Sequence, residues 1–195
     1  MKRKSSIKRK TSETDISVTL TLDGTGKYEI DTGIPFFDHM LNLFAKHGLF
    51  DIKLKAKGDT CVDFHHTVED TGIVIGKAFK EALGDFSGIK RYGTFTAPMD
   101  ETLVDTAIDI SGRPFFVFKV KMPKEKSGDF DSELVESFFK AFSDNLGCNL
   151  HINLRYGKNI HHIIEAIFKS FAKTLDIATS IEVRHHGILS TKGVL

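Results

Sequence analysis

Apolar and polar residues alternate through "TDISVTLTLDGTGKYEIDTG", residues 14–33, around a Gly-rich turn. A period of two on both sides of such a turn predicts a β-hairpin. The pattern then changes. In "PFFDHMLNLFAKHG" the apolar residues recur on a helical period, Pro35 suits a first helical turn and Gly48 suits a C-cap. "LFDIKLKAKGD" alternates again and predicts a strand that ends at Gly58. "HHTVEDTGIVIGKAFKEALGD" predicts a long helix running to Gly84.

The second half repeats this order. "RYGTFTAPMDETLVDTAIDISGRPFFVFKVKM" predicts several strands, and "DSELVESFFKAFSDNLG" a helix with Asp131 as its N-cap candidate. "NLHINLRYG" predicts a strand, "IHHIIEAIFKSFAKTLD" a helix, and the tail "IEVRHHGILSTKGVL" an irregular segment. Gly48 and Gly147 are 99 residues apart, as are Gly58 and Gly157, whereas His65 and His161 are 96 apart. Helix, strand and His-His-x-x-Glu helix therefore occur twice. Two copies are too few for a solenoid. They predict an internal duplication with halves at 1–86 and 87–195, related by a pseudo-twofold axis within one compact unit. The class is α+β, each half a mostly antiparallel sheet with helices packed on one face.

The repeated word carries the chemistry. On a helix, residues four apart share a face, so His65 points with Glu69 and His161 with Glu165. His66 and His162 sit about 100° round the axis and address a second spot. One helix start can thus serve two neighbouring metal ions. Imidazole nitrogen with carboxylate oxygen suits manganese, iron or zinc, and no thiolate pair lies nearby to suggest a structural zinc site. One His-His pair at a helix start is ordinarily solvent-facing or a cap. Core packing gives no reason to place the pair and its Glu at corresponding positions twice. His39 lies one helix and one strand before His65 and is the further ligand candidate by position.

Composition narrows the setting. The chain has 195 residues, 41% hydrophobic and 27% charged, with a net charge of +1. These values are those of a globular domain with no global nucleic-acid signature. No apolar run nears the roughly 20 residues that span a bilayer. No apolar segment follows the basic start "MKRKSSIKRK", which we expect to be a solvated, frayed tail and not a secretory signal. The two cysteines, Cys61 and Cys148, form no CxxC, and a reducing, cytoplasmic location is expected. The 17 Phe recur in pairs, in "PFFDHM", "RPFFVF" and "ESFFKAF", which predicts core.

Taken together, "RKTSETDISVTLTLDGTG", "FFDHML", "FHHTVEDTGIVIG", "RYG", "PMDETL", "DISGRP", "HHIIEAIFKSFAKTL" and "STKGVL" closely resemble the imidazoleglycerol-phosphate dehydratase family, from about Arg9 to Leu195. The resemblance implies loss of water from imidazole glycerol phosphate to give imidazole acetol phosphate, a step of histidine biosynthesis. It implies two Mn(2+) per active site, and a 24-mer built from trimers with active sites between subunits. One metal set would draw on His65, Glu69 and the other half's histidines. The second would draw on His39, His66, Glu165 and their counterparts; His161 and His162 are also among the ligands implied, and since these come from neighbouring subunits the resemblance divides them no further. By the same resemblance Arg91, Arg113, Lys169, Ser190, Thr191 and Lys192 match positions that hold the substrate and its phosphate, which suits an anion that needs several donors. Glu13 and Asp100 match the acid/base positions, and His47 matches a position near the substrate.

Three departures stand out. Phe64 precedes the first His-His where many members have Asp. Ser137 stands in "LVESFF" where many carry His or an acidic residue, so water or Glu136 is expected to complete that sphere. His185 and His186 add a local cluster in the tail. Two rival classes share parts of this pattern: a dimetal phosphatase or hydrolase, which would release phosphate, and a metal-storage protein, which would turn over neither.

Overall fold

The computed structural model describes residues 3–193; Met1 and Lys2, which begin the basic opening, and Val194 and Leu195, which end the STKG tail, lie outside the described residues. The first half folds as β1 (Lys4–Lys10), β2 (Thr14–Thr21), β3 (Tyr28–Asp31), α1 (Pro35–Gly48), β4 (Asp51–Gly58) and α2 (His65–Leu83). The second half starts with β5 (Tyr92–Met99), β6 (Thr102–Asp109) and β7 (Phe115–Lys119). A small insertion follows, β8 (Lys126–Ser127) and β9 (Phe130–Asp131). Then come α3 (Leu134–Leu146), β10 (Asn149–Tyr156) and α4 (Ile160–Thr179).

The two four-stranded sheets have the same topology, β1-β2-β4-β3 and β5-β6-β10-β7. In each, the first three strands are antiparallel and the last pair is parallel. The parallel pair is joined through α1 or α3, because parallel neighbours need a crossover. The helices pack between the sheets: α2 on β1 and β2, α4 on β5 and β6, with α2 against α3 and α1 against α4. Alternating burial along β2 and β6 turns one sheet face inward. Gly72 and Gly76 let α2 approach the α3 backbone, since a Cβ there would lie 2.6 Å from Phe138 O and 2.7 Å from Phe142 O. The ring pairs Phe37–Phe138, Phe44–Phe171 and Phe79–Phe142, with centroids 5.4–5.6 Å apart, cross between the halves and fuse them in one core, and Phe139 packs beside them against Phe138, Phe168 and Phe171 at 4.9–5.0 Å.

Five local expectations are corrected. β2 and β3 do not pair with each other; both pair with β4. The Asp51 carboxylate accepts the Thr25 and Lys27 N–H groups at 2.8 and 2.9 Å, and so pins the Gly-rich turn to the start of β4. The basic opening is an edge strand, β1, whose alternate residues face α2. Ser5 donates to Ala78 O and Arg9 pairs with Asp70, while the lysines point outward along the exposed edge. Asp131 lies in β9, and the residue at the α3 cap is Glu133, with no side-chain cap bond. Phe115 is exposed because β7 is an edge strand, so the "RPFFVF" pair is only partly core.

The fifth correction concerns the register of the halves. Gly48 is the last residue of α1, and the left-handed C-cap is Leu49, at φ 58. Its counterpart is Gly147, at φ 80 after α3. The spacing between helices is thus 98 residues, not 99. It becomes 99 only at Gly58 and Gly157, past a bulge between Leu154 and Tyr156 in β10. In this register the α3 counterpart of His39 is Ser137.

Candidate metal and substrate site

The α4 start is set by Asn159, whose side chain accepts the His162 N–H at 3.2 Å. One helical turn then brings His161 Nε2 to 3.2 Å from Glu165 Oε2. His39, at the start of the second turn of α1, brings its Nε2 to 3.7 Å from the same oxygen. The three donor atoms lie within 4.8 Å of one another. Cis ligands of an octahedral ion bound at about 2.2 Å lie about 3.1 Å apart, so this corner fits three ligands of one divalent ion. Burial alone raises the Glu165 carboxyl. Its hydrogen bond and charge contact with Lys169, helped by His161, outweigh burial and hold it below the usual range. It is therefore an anion ready to ligate.

The corresponding corner on α2 is poorer. His65 Nε2 lies 3.2 Å from Glu69 Oε2, and Asp63 accepts the His65 N–H at 2.7 Å. Facing His65 across a shared cleft are Ser137, Glu136 and Lys140 of α3 and Glu133 at its cap. Among the described residues, only His39, His161 and Glu165 form a three-donor group.

The second histidine of each word is held by a carboxylate. His66 Nδ1 is 3.0 Å from Asp59 and His162 Nδ1 is 2.8 Å from Glu101. Such a bond fixes the tautomer and presents Nε2 as the free donor. These hydrogen bonds raise both imidazoles above the usual pKa. Glu101 also accepts the Asn159 N–H at 2.8 Å, and backbone donors with His162 bring it down to about 2. Asp59 and Glu101 were missed in the sequence. Their only signals are positions after Gly58 and inside the "MDE" turn; the partner of Asp59 is seven residues on, across an irregular turn, and that of Glu101 is 61 residues away. Glu13 lies 3.9 Å from His66 Nε2, and Asp100 lies 3.7 Å from His162 Nε2. The two acid/base candidates thus occupy matching places beside the two second histidines. Asp100 takes a left-handed φ of 47 in its turn, a conformation non-glycine residues rarely adopt.

A separate groove is lined by Arg91, Arg113, Ser190, Thr191 and Lys192, five of the six residues matched to substrate binding. His185 lines it too, whereas the sequence suggested only a loop cluster. Arg91, at φ 71, is fixed by Asp109 at 2.6 Å and donates to Leu189 O at 2.6 Å, which ties the tail to the sheet. Lys169, the sixth residue, is not among these lining residues; it pairs with Glu165 at 2.5 Å. Burial, reinforced by the charges of Lys169 and Lys173, pushes the His47 imidazole below its ordinary pKa.

A family model described as imidazoleglycerol-phosphate dehydratase matches residues 32–175. A relative of that name from Trichlorobacter lovleyi is 60% identical over all of both chains. One from Geobacter sulfurreducens is 57% identical, again over all of both. The solved enzyme from Staphylococcus aureus is 41% identical, with a TM-score of 0.83 over 92% of this chain and 99% of its own. The Pyrococcus furiosus structure, solved with (S)-C348, is 36% identical, with a TM-score of 0.85 over 97% of this chain and 100% of its own. Fold and relatives together define a carbon–oxygen lyase of the hydro-lyase class. The chain belongs to the imidazoleglycerol-phosphate dehydratase family. No helix of the described residues is long and apolar enough to cross a membrane.

Proposed function

We propose that the protein removes water from imidazole glycerol phosphate to give imidazole acetol phosphate, in the cytoplasm, with two manganese ions at each active site. The observation that carries this is the His39–His161–Glu165 corner, a preformed ligand set in a chain whose relatives bear the dehydratase name. Bound metal supplies positive charge that stabilises the electron-rich imidazole ring of the substrate as its neighbouring carbon loses a proton.

The chain's own groups do the rest. Glu13 and Asp100 lie on loops beside the second histidines, where a carboxylate can take a proton from carbon or deliver one to the leaving hydroxyl. Asp59 and Glu101 orient those histidines. The Arg91–Lys192 groove holds the phosphate, with Arg91 already aimed by Asp109. A three-donor corner leaves an octahedral ion incomplete, and His66 and His162 present Nε2 donors apart from the His39–His161–Glu165 group. Both features support completion by neighbouring copies, as in a 24-mer built from trimers.

Arg113→Ala and Lys192→Ala are expected to raise the KM for the phosphate substrate by about 10- to 150-fold, the value of a charge-assisted hydrogen bond of about 1.5–3 kcal/mol. Metal content should stay unchanged. Steady-state kinetics with metal analysis checks this, and equal loss of metal would assign these residues to folding or assembly. With the unsubstituted protein, ketone formation with phosphate still esterified supports the dehydratase. Release of inorganic phosphate would point to the dimetal hydrolase.

A further inference from the structure

The duplication makes a demand that the α4 corner meets and the α2 corner does not. His161 and Glu165 on α4 correspond to His65 and Glu69 on α2, with the same 3.2 Å separation in each pair. α1 packs against α4 as α3 packs against α2. His39 on α1 completes the α4 corner. The residue in its place on α3 is Ser137, matched through the paired left-handed caps Leu49 and Gly147. Buried positions agree with that register: Phe37, Met40, Leu41 and Phe44 correspond to Val135, Phe138, Phe139 and Phe142. Ser137 lines the cleft with His65. A neutral hydroxyl replaces an imidazole nitrogen, and hydroxyl oxygen is a much poorer ligand than imidazole for a divalent transition ion.

We propose that the two metal positions of this protein are unequal: the His39–His161–Glu165 corner binds its ion tightly, and the His65–Glu69–Ser137 corner holds an exchangeable one. The proposal rests on the metal reading above and adds to it an identified weak side and its cause. The cleft also supplies Glu133 and Glu136. Their carboxylates are oxygen donors of a kind that manganese accepts, while Lys140 in the same cleft offsets part of their charge and keeps the corner weak. As free manganese falls, the α2 corner empties first while the α4 corner stays filled.

The test is equilibrium dialysis of the intact, chelator-stripped protein against manganese, with bound metal read by elemental analysis and free ion by electron paramagnetic resonance. The unsubstituted protein should bind in two steps per chain, with dissociation constants at least about tenfold apart, since even outer-sphere partners of a ligand change affinity by about 10- to 100-fold. Ser137→His should tighten the second step and bring the two together. His39→Ser, which copies the poor corner onto α4, should leave two weak steps. Two ions of equal affinity in the unsubstituted protein would overturn the inequality while leaving the metal reading intact. So would a Ser137→His isotherm unchanged from the original in a protein that folds and assembles normally. No binding by any form would overturn both.

Discussion

Replacing His161 by Ala is expected to remove most bound metal and to lower turnover by at least about 100-fold. The imidazole Nε2 sits 3.2 Å from the Glu165 carboxylate, and with His39 these are the three donors gathered in one corner. Taking one away leaves two donors, His39 and a Glu165 already engaged by Lys169. His65→Ala should have the same direction at the poorer corner, because it removes one of the two strong donors there. The control is His151→Ala. His151 is an exposed residue of β10 beside Phe115, apart from both corners. Metal analysis and turnover on the three variants check this. Full metal and activity in either His161→Ala or His65→Ala would mean that the repeated word is not a ligand set.

Phe139→Ala should be the most damaging change outside the site, lowering stability by about 3–5 kcal/mol. Phe139 is fully buried at the seam of α3 and α4, and its ring touches three other rings. Truncation loses burial and leaves a cavity that helices fixed at Gly72 and Gly76 have little room to close. Domains of this size tolerate only about 5–15 kcal/mol in total, so the loss is a large share. At about 2–4 °C per kcal/mol, the thermal midpoint should fall by roughly 6–20 °C. Calorimetry decides it. A midpoint within a degree or two of the original would show that the Phe138–Phe139–Phe168–Phe171 cluster adds little to the stability of the core.

What could be read from the sequence follows from the range of each interaction. α1, α2, β4, α3, β10 and α4 were legible because apolar period and terminal Gly or Pro are local signals. The metal corner was legible in part for the same reason, since His161 and Glu165 share one helical turn. His39 entered through position, and only packing shows that α1 brings it to α4. The pairing of β3 was illegible: a Gly-rich turn between alternating segments signals a hairpin, and the Asp51 side chain that redirects it lies beyond α1. The basic opening misled for a different reason. Its lysines advertise solvent, while Ser5 and Arg9, which dock on α2, do so through partners more than 60 residues away. Asp59 and Glu101 were missed because a carboxylate near a turn is common, and only the fold puts it on a histidine. The tail groove was legible through the family resemblance alone, since Arg91 and Lys192 are 101 residues apart.

The most direct measurement starts from protein stripped of metal and shown by elemental analysis to be so. It is given imidazole glycerol phosphate while manganese is titrated, and ketone and inorganic phosphate are read together. The account predicts no ketone without metal, ketone formation that rises with bound manganese, and phosphate that stays esterified throughout. Full-rate ketone formation by the metal-free protein, or release of phosphate in place of ketone, would contradict it.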